Sequence, residues 1–213
     1  MYKYLYGEDE IVSGDLSVRF LFDGAGVKSD MSANVQFSPG VTYIAGHAVG
    51  SMGDNIYDQR MRMYLTNEAD GRLLKSVYQL GSWHHKRLNK EELEHGIDAL
   101  DVTHLFDFKL DDLSDRELLT DTDNLVVVSG KMAYSELKRL MGRTANDIPT
   151  KADLGVLTVE VSIDQDTGTL ITFDASIDNP VGDVTRFKFG FSVNNLNNST
   201  VSIPGAVQMI MEA

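Results

Sequence analysis

Five histidines, His47, His84, His85, His95 and His104, are the first candidates for metal or acid–base chemistry. Only His84 and His85 adjoin. Neighbouring side chains on a strand leave by opposite faces, so the pair cannot close on one metal from a regular strand. A third ligand at metal spacing is missing, as is an H-E-x-x-H motif. The pair reads as a solvated loop beside Trp83. Acids come in pairs, Asp111 with Asp112, Asp121 with Asp123, and Asp164 with Asp166. Glycoside hydrolysis needs two carboxylates facing each other across a sugar, which spacing alone does not supply. Asp164-Gln165-Asp166-Thr167-Gly168 has the alternating acids of a calcium loop but lacks the later bidentate Glu. Asp and Gly are also what a hairpin turn demands, and a turn is the reading adopted.

Gly24-Ala25-Gly26-Val27-Lys28-Ser29 departs from the phosphate-loop pattern, which needs Gly directly before Lys where Val27 stands. No G-x-S-x-G elbow occurs. The chain contains no cysteine, so disulfides, thiolate catalysis and Cys-ligated metal sites are excluded. No cofactor and no enzyme class is indicated. A hydrolase built on paired carboxylates or on His84 and His85 is the least favoured reading.

A different kind of chemistry is suggested by large apolar side chains at strand spacing. Met61, Met63, Phe187, Phe189 and Phe191 give a sheet a soft, oily face, and Trp83 stands at the far end of a neighbouring strand. These six are the candidate ligand-binding residues. The bland alternative is that helices cover the face and make an ordinary core. The sharper one is that a short, acidic helical block covers it incompletely and leaves a cleft for an acyl chain or another apolar ligand.

The elements that would position these residues are clearest near the end of the chain. Leu157, Val159, Val161 and Ile163 alternate with Thr158, Glu160 and Ser162. Ile171, Phe173, Ala175 and Ile177 follow after the Asp164–Gly168 turn. Phe187, Phe189, Phe191 and Val193 follow Asn179-Pro180 and Gly182. Period two over three segments with turns between them marks an antiparallel meander with one buried face. Thr200 to Ile203 is expected to add a last strand that Pro204 ends. The first third is similar: Val18, Phe20 and Phe22; Val35 and Phe37 before Pro39-Gly40; Val41 to Val49; Met61, Met63 and Leu65; and Leu73 to Leu80.

The middle changes period. Asn89 with Glu92 fits a capped helix start, and Leu93, Ile97 and Leu100 continue at helical spacing. Leu110 to Leu119 suggests a second short helix or turn. Leu125 to Val128 reads as a strand. Tyr134, Leu137, Leu140 and Met141 share one helix face, which Gly142 ends. Strand runs interrupted by a helical block predict an α+β fold. With 213 residues, no low-complexity linker and no internal repeat, one domain over 1–213 is expected, with 1–14 as a peripheral segment.

The net charge is −13, with no basic cluster to offset it, which argues against a nucleic-acid partner. It also argues against an anionic membrane surface unless a covalent anchor holds the chain there. No segment approaches the roughly 20 apolar residues of a membrane-spanning helix.

Three stretches together resemble bacterial lipoproteins of the LolA/LppX-like half-barrel group. One is the strand pair Met61–Leu65 and Leu74–Leu80, ending in Gly81-Ser82-Trp83. Another is Val126-Val127-Val128-Ser129-Gly130-Lys131 with the helix ending Leu137-Lys138-Arg139-Leu140-Met141. The last is Thr158 to Asp164, Gly168, and then Val201-Ser202-Ile203-Pro204. The resemblance spans roughly residues 32 to 205 as pattern. It implies a curved antiparallel sheet with short helices on its concave face. It further implies an extracytoplasmic location, with a lipid anchor on a cysteine that this chain does not contain. The function expected is binding of a lipid or other apolar ligand between sheet and helices. The alternative is a structural or protein-interaction module of the cell envelope, with a closed core and an envelope protein as partner.

Overall fold

The computed structural model describes residues 11–68, 72–88, 105, 107–122, 124–142 and 153–211. Its strands are β1 (Gly14–Gly24), β2 (Val27–Ser38), β3 (Val41–Met52), β4 (Asn55–Asn67), β5 (Leu73–Gln79), β6 (Ser82–Leu88), β7 (Ser114–Asp121), β8 (Leu125–Ala133), β9 (Val156–Asp164), β10 (Leu170–Ser176) and β11 (Val184–Asn194). Turn chemistry separates them. Ala25 and Gly26 both take positive φ, 50° and 74°, in the two-residue turn between β1 and β2. That backbone matches the twist of the flanking strands. In the β9–β10 turn the Asp164 carboxylate accepts hydrogen bonds from the backbone N–H and hydroxyl of Thr167, both at 2.8 Å. Those bonds hold its carboxyl below the usual carboxylate range and account for Asp164 as a turn residue.

All eleven strands lie in one antiparallel sheet, ordered β6-β5-β4-β3-β2-β1-β11-β10-β9-β8-β7. Strands β1 to β6 form one meander of sequential hairpins and β7 to β11 another. The meanders meet where β1 pairs with β11. Strands β6 and β7 are the two edges and do not pair, so the sheet is open.

The register carries one apolar face across that junction. Val18, Phe20 and Phe22 of β1 stand opposite Phe191, Phe189 and Phe187 of β11. Phe191 and Phe189 in turn face Phe173 and Ala175 of β10, which face Val161 and Val159 of β9. In the other direction Leu16 leads to Val35, Ile44 and Met63. All of these are buried.

Helix α1 (Tyr134–Met141) covers this face in the C-terminal half. Tyr134, Leu137, Leu140 and Met141, at the expected helical spacing, are its buried side, and it ends at Gly142 with φ 55°. The Tyr134 ring meets Phe187 edge-on at 5.7 Å between centroids. Leu105, Phe108 and Leu113 join the same core, with Phe108 edge-on to Phe173 at 5.2 Å. The expected helix from Lys90 to Leu100 lies outside the described residues.

Three expectations are corrected. The leucines of Leu110 to Leu119, expected as a short helix or turn, form a 3₁₀ turn at Leu110–Asp112, as the second alternative has it, but then continue as strand β7. Thr200 to Ile203 is not a strand. Pro204 instead starts helix α2 (Gly205–Met211), with its carbonyl accepting from the N–H groups of Val207 and Gln208 at 2.9 and 3.0 Å. Proline lacks an N–H but its fixed φ suits a helix start, so it opens an element here rather than only closing one. His84 and His85 lie within β6, not in a loop.

Asp15 pins the segment after β11 to β1. Its carboxylate accepts from Ser199 Oγ at 2.5 Å, Asn195 Nδ2 at 2.6 Å and Gln36 Nε2 at 3.3 Å. Burial on its own raises the Asp15 pKa, but these donors outweigh it and hold the carboxyl below its ordinary value. A depressed folded-state pKa contributes stability above the unfolded value, roughly 3.9, that is lost as pH falls through the lower folded value. Asp15→Asn is therefore expected to lower the melting temperature at pH 7. The gap to wild type should narrow as thermal unfolding is repeated below about pH 4. A gap that is constant with pH would show that the carboxylate's charge contributes nothing.

Candidate functional site

The six candidate residues separate into three environments. Phe187, Phe189 and Phe191 are 1%, 4% and 4% exposed. Their partners are aromatic: Phe20 is edge-on to Phe187 at 5.8 Å, and Phe173 stacks on Phe191 at 5.3 Å. These three are core, roofed by α1 and the segment around Phe108. Met63 is also buried, next to Ile44 and Val77 in the register.

Met61 is different. It shares the apolar face with Met63 two positions on, yet is 41% exposed. Across β3 its register neighbour is Gly46, which faces Ala33 of β2. One step along the strands, Met31 of β2 faces Ala48 of β3 and is 39% exposed. Met31 and Met61 thus flank a furrow floored by Ala33, Gly46 and Ala48. The same face that is sealed beneath α1 is open here.

Gly46 sets the depth of the furrow. A Cβ built there would meet nothing closer than the Ser32 carbonyl oxygen at 3.7 Å and Met61 Cε at 3.9 Å. Gly50, on the same face of β3, is closed by contrast. A Cβ there would fall 2.4 Å from the hydroxyl of Tyr57, which donates to the Lys28 carbonyl at 3.2 Å. The furrow therefore ends against the Tyr57 ring at one end and the buried Ile44–Met63 pair at the other.

Trp83 does not belong to this site. Leu80 and Gly81 form the β5–β6 turn, so Trp83, the second residue of β6, stands opposite Tyr78. The register places it on the face opposite Met61 and Met63. There Tyr43, Tyr64, Trp83 and Tyr78 form a chain of ring contacts at 4.7, 5.5 and 5.2 Å. Tyr64, Thr66, Leu74 and Ser76 are buried on that side. Arg87 shares it and donates to the Ile210 carbonyl of α2 at 3.0 Å, while also pairing with Glu68 at 2.8 Å. The C-terminal helix is thereby tied to this side of the sheet.

The histidine pair is divided as alternation requires. His84 Nε2 lies 3.1 Å from Ser82 Oγ, and His85 Nδ1 lies 2.8 Å from the buried Ser76 Oγ on the other face. Among the described residues no group of three His, Asp or Glu side chains is placed to hold a metal ion. The signal for the furrow was present in the sequence as Ala33, Gly46 and Ala48, but only strand register brings them together.

No protein-family model matches the chain, and no curated protein matches it in sequence.

If His85 acts only as the partner of a buried hydroxyl, His85→Ala should cost about 1–3 kcal/mol in urea denaturation, because Ser76 is left unsatisfied. His84→Ala should stay within ~0.5 kcal/mol. Equal losses, or zinc-dependent stabilisation of wild type that either substitution abolishes, would contradict this division.

Proposed function

We propose that the chain is an extracytoplasmic, lipoprotein-type binding domain that holds a lipid or other apolar ligand against one face of its sheet. In this reading the sheet curves as a half-barrel, α1 packs in its concavity, and a lipid anchor outside this chain holds the domain at the membrane. The observation that carries the reading is the change in cover along a single face. Phenylalanines 187, 189 and 191 are sealed, while Met31 and Met61 stand open over Ala33, Gly46 and Ala48. Exposed methionines flanking a small-residue floor are well suited to apolar chains of varied shape, because the thioether side chain is flexible and polarizable. The binding residues proposed are therefore Met31, Met61 and Gly46. Phe187, Phe189 and Phe191 serve as the packed base that keeps the sheet rigid, and Trp83 is outside the site.

A second reading is favoured by β7, an edge of the sheet among the described residues, where Leu118 and Leu119 are 50% and 47% exposed. A strand of an envelope protein could add there, making the chain an interaction module.

The test is a fluorescence titration of the full chain with the neutral apolar probe N-phenyl-1-naphthylamine. Saturable enhancement is expected for wild type. Gly46→Val fills the furrow at a β-compatible position and should weaken binding by about tenfold or more, since each displaced methylene-sized contact contributes ~0.8 kcal/mol. Its melting temperature should stay near that of wild type. Absence of saturable binding, or equal affinity in Gly46→Val, would overturn the ligand reading.

A further inference from the structure

The side of the sheet opposite the furrow carries a second feature. A depression of about 280 Å³ lies over β2, β3 and β4, lined by Ser32, Asn34, Ala45, His47, Arg60 and Arg62, with Gly46 and Met61 of the furrow between them. Its shape follows from the register. Ser32, His47 and Arg60 form one cross-strand row, and Asn34, Ala45 and Arg62 the next. Strands lie about 4.8 Å apart and alternate residues about 6.8 Å along a strand. The two arginines and the Ser32–Asn34 pair therefore bound a frame of roughly 7 by 10 Å, floored by the small Ala45 and by His47.

Charge sets this frame apart. The chain has 32 Asp and Glu against 19 Lys and Arg, so an arginine normally finds a carboxylate. Arg19, Arg72, Arg87, Arg116 and Arg139 each do. Arg60, Arg62 and Arg186 form no ion pair among the described residues, and Arg60 and Arg62 stand two positions apart on one strand face. The nearest carboxylates in the register are already engaged: Asp58 by His47 Nε2 at 2.7 Å and Asp30 by Arg19 at 3.1 Å. Asn34 accepts from Ser17 Oγ at 2.8 Å through Oδ1, which leaves its NH₂ as the free donor end. The frame thus presents two guanidinium forks, an amide NH₂ and a hydroxyl, and neither arginine is paired with a carboxylate among the described residues.

We infer that this frame is a binding site for a phosphate-class oxyanion. Arginine forks match the oxygens of such a group bidentately, and donors on both sides suit a tetrahedral anion with several free oxygens better than a two-oxygen carboxylate. The anion can be a lipid headgroup or a soluble phosphate; the recognising chemistry is the same. The site takes its polar side chains from the face opposite the apolar furrow and shares Gly46 and Met61 with it.

The test is a ¹H–¹⁵N titration of the full chain with inorganic phosphate at constant ionic strength and pH 7. Saturable shifts are expected at the Asn34 side-chain NH₂ and the Arg60 and Arg62 Nε–H groups, with Kd on the order of 1 mM. The double variant R60Q/R62Q should weaken binding by about tenfold or more. R186Q, which removes an arginine elsewhere on the surface, should leave it unchanged. A parallel arm measures co-sedimentation with phosphatidylcholine vesicles with and without phosphatidylglycerol. Sedimentation that requires both phosphatidylglycerol and Arg60/Arg62 supports the site with a headgroup as its source. Phosphate binding without vesicle binding supports it with a soluble anion. Absence of both, or shifts that R60Q/R62Q leaves in place, overturns it.

Discussion

The ladder between β1 and β11 is the constraint on which the rest of the molecule depends. Every other strand pairing joins consecutive strands and is local in the chain. Only this ladder brings residues near position 20 against residues near position 190. The entropic cost of closing so long a loop grows only as the logarithm of its length, but it must still be offset. The offset is aromatic burial. Phe20 and Phe22 stand opposite Phe189 and Phe187, and Tyr134 closes over the latter pair's β11 member from the helix above. Large rings in edge and stacked contacts are among the most effective ways to bury apolar area at one seam. Asp15 and its three donors close one end of the same seam through charge-assisted hydrogen bonds.

Fusing the two meanders at this seam gives a sheet whose apolar face is continuous but whose cover is not. From β1 through β8 in sheet order the face lies beneath α1, Phe108 and Leu113. From β2 to β4 it thins from Val35, Ile44 and Met63 to methionines over glycine and alanine. The opposite face has its own division, between the aromatic chain from Tyr43 to Trp83 and the arginine frame at Arg60 and Arg62. The sheet therefore offers an apolar surface and one bearing an arginine pair on opposite sides of the same three strands.

Period two made most of this fold legible. β9 and β11 alternate so regularly that sequence and structure agree on which residues face the core. In β10 they agree from Phe173 on, but the irregularity between Leu170 and Thr172 buries Leu170 in place of Ile171, and in β4 Met63 and Leu65 are buried while Met61 is exposed. The edges were not legible for a physical reason. β7 is exposed at nearly every position, so it has no buried face to write an alternation into Ser114–Asp121. β6 carries Trp83 and the two histidines among cations, which masks its strand character. Trp83 falls on the face opposite the methionines because parity across a hairpin depends on the turn at Leu80-Gly81, not on the strands themselves. Phe108 is hard to place because Phe106, Phe108 and Leu110 alternate with Asp107 and Lys109 over too short a run to mark an element. The furrow lies a step beyond any of these, since Ala33 and Gly46 become neighbours only through the β2–β3 register.

The most direct test of the central claim, one apolar face sealed in one half and open in the other, uses the methionines as reporters. With methyl-labelled Met, broadening by a soluble paramagnetic agent is read for each resonance. Met63, Met132 and Met141, at 5%, 1% and 5% exposure, should be protected, while Met31 and Met61, at 39% and 41%, should broaden strongly. Protection of Met31 and Met61 equal to that of Met63 would mean the face is closed throughout, and the account would be wrong.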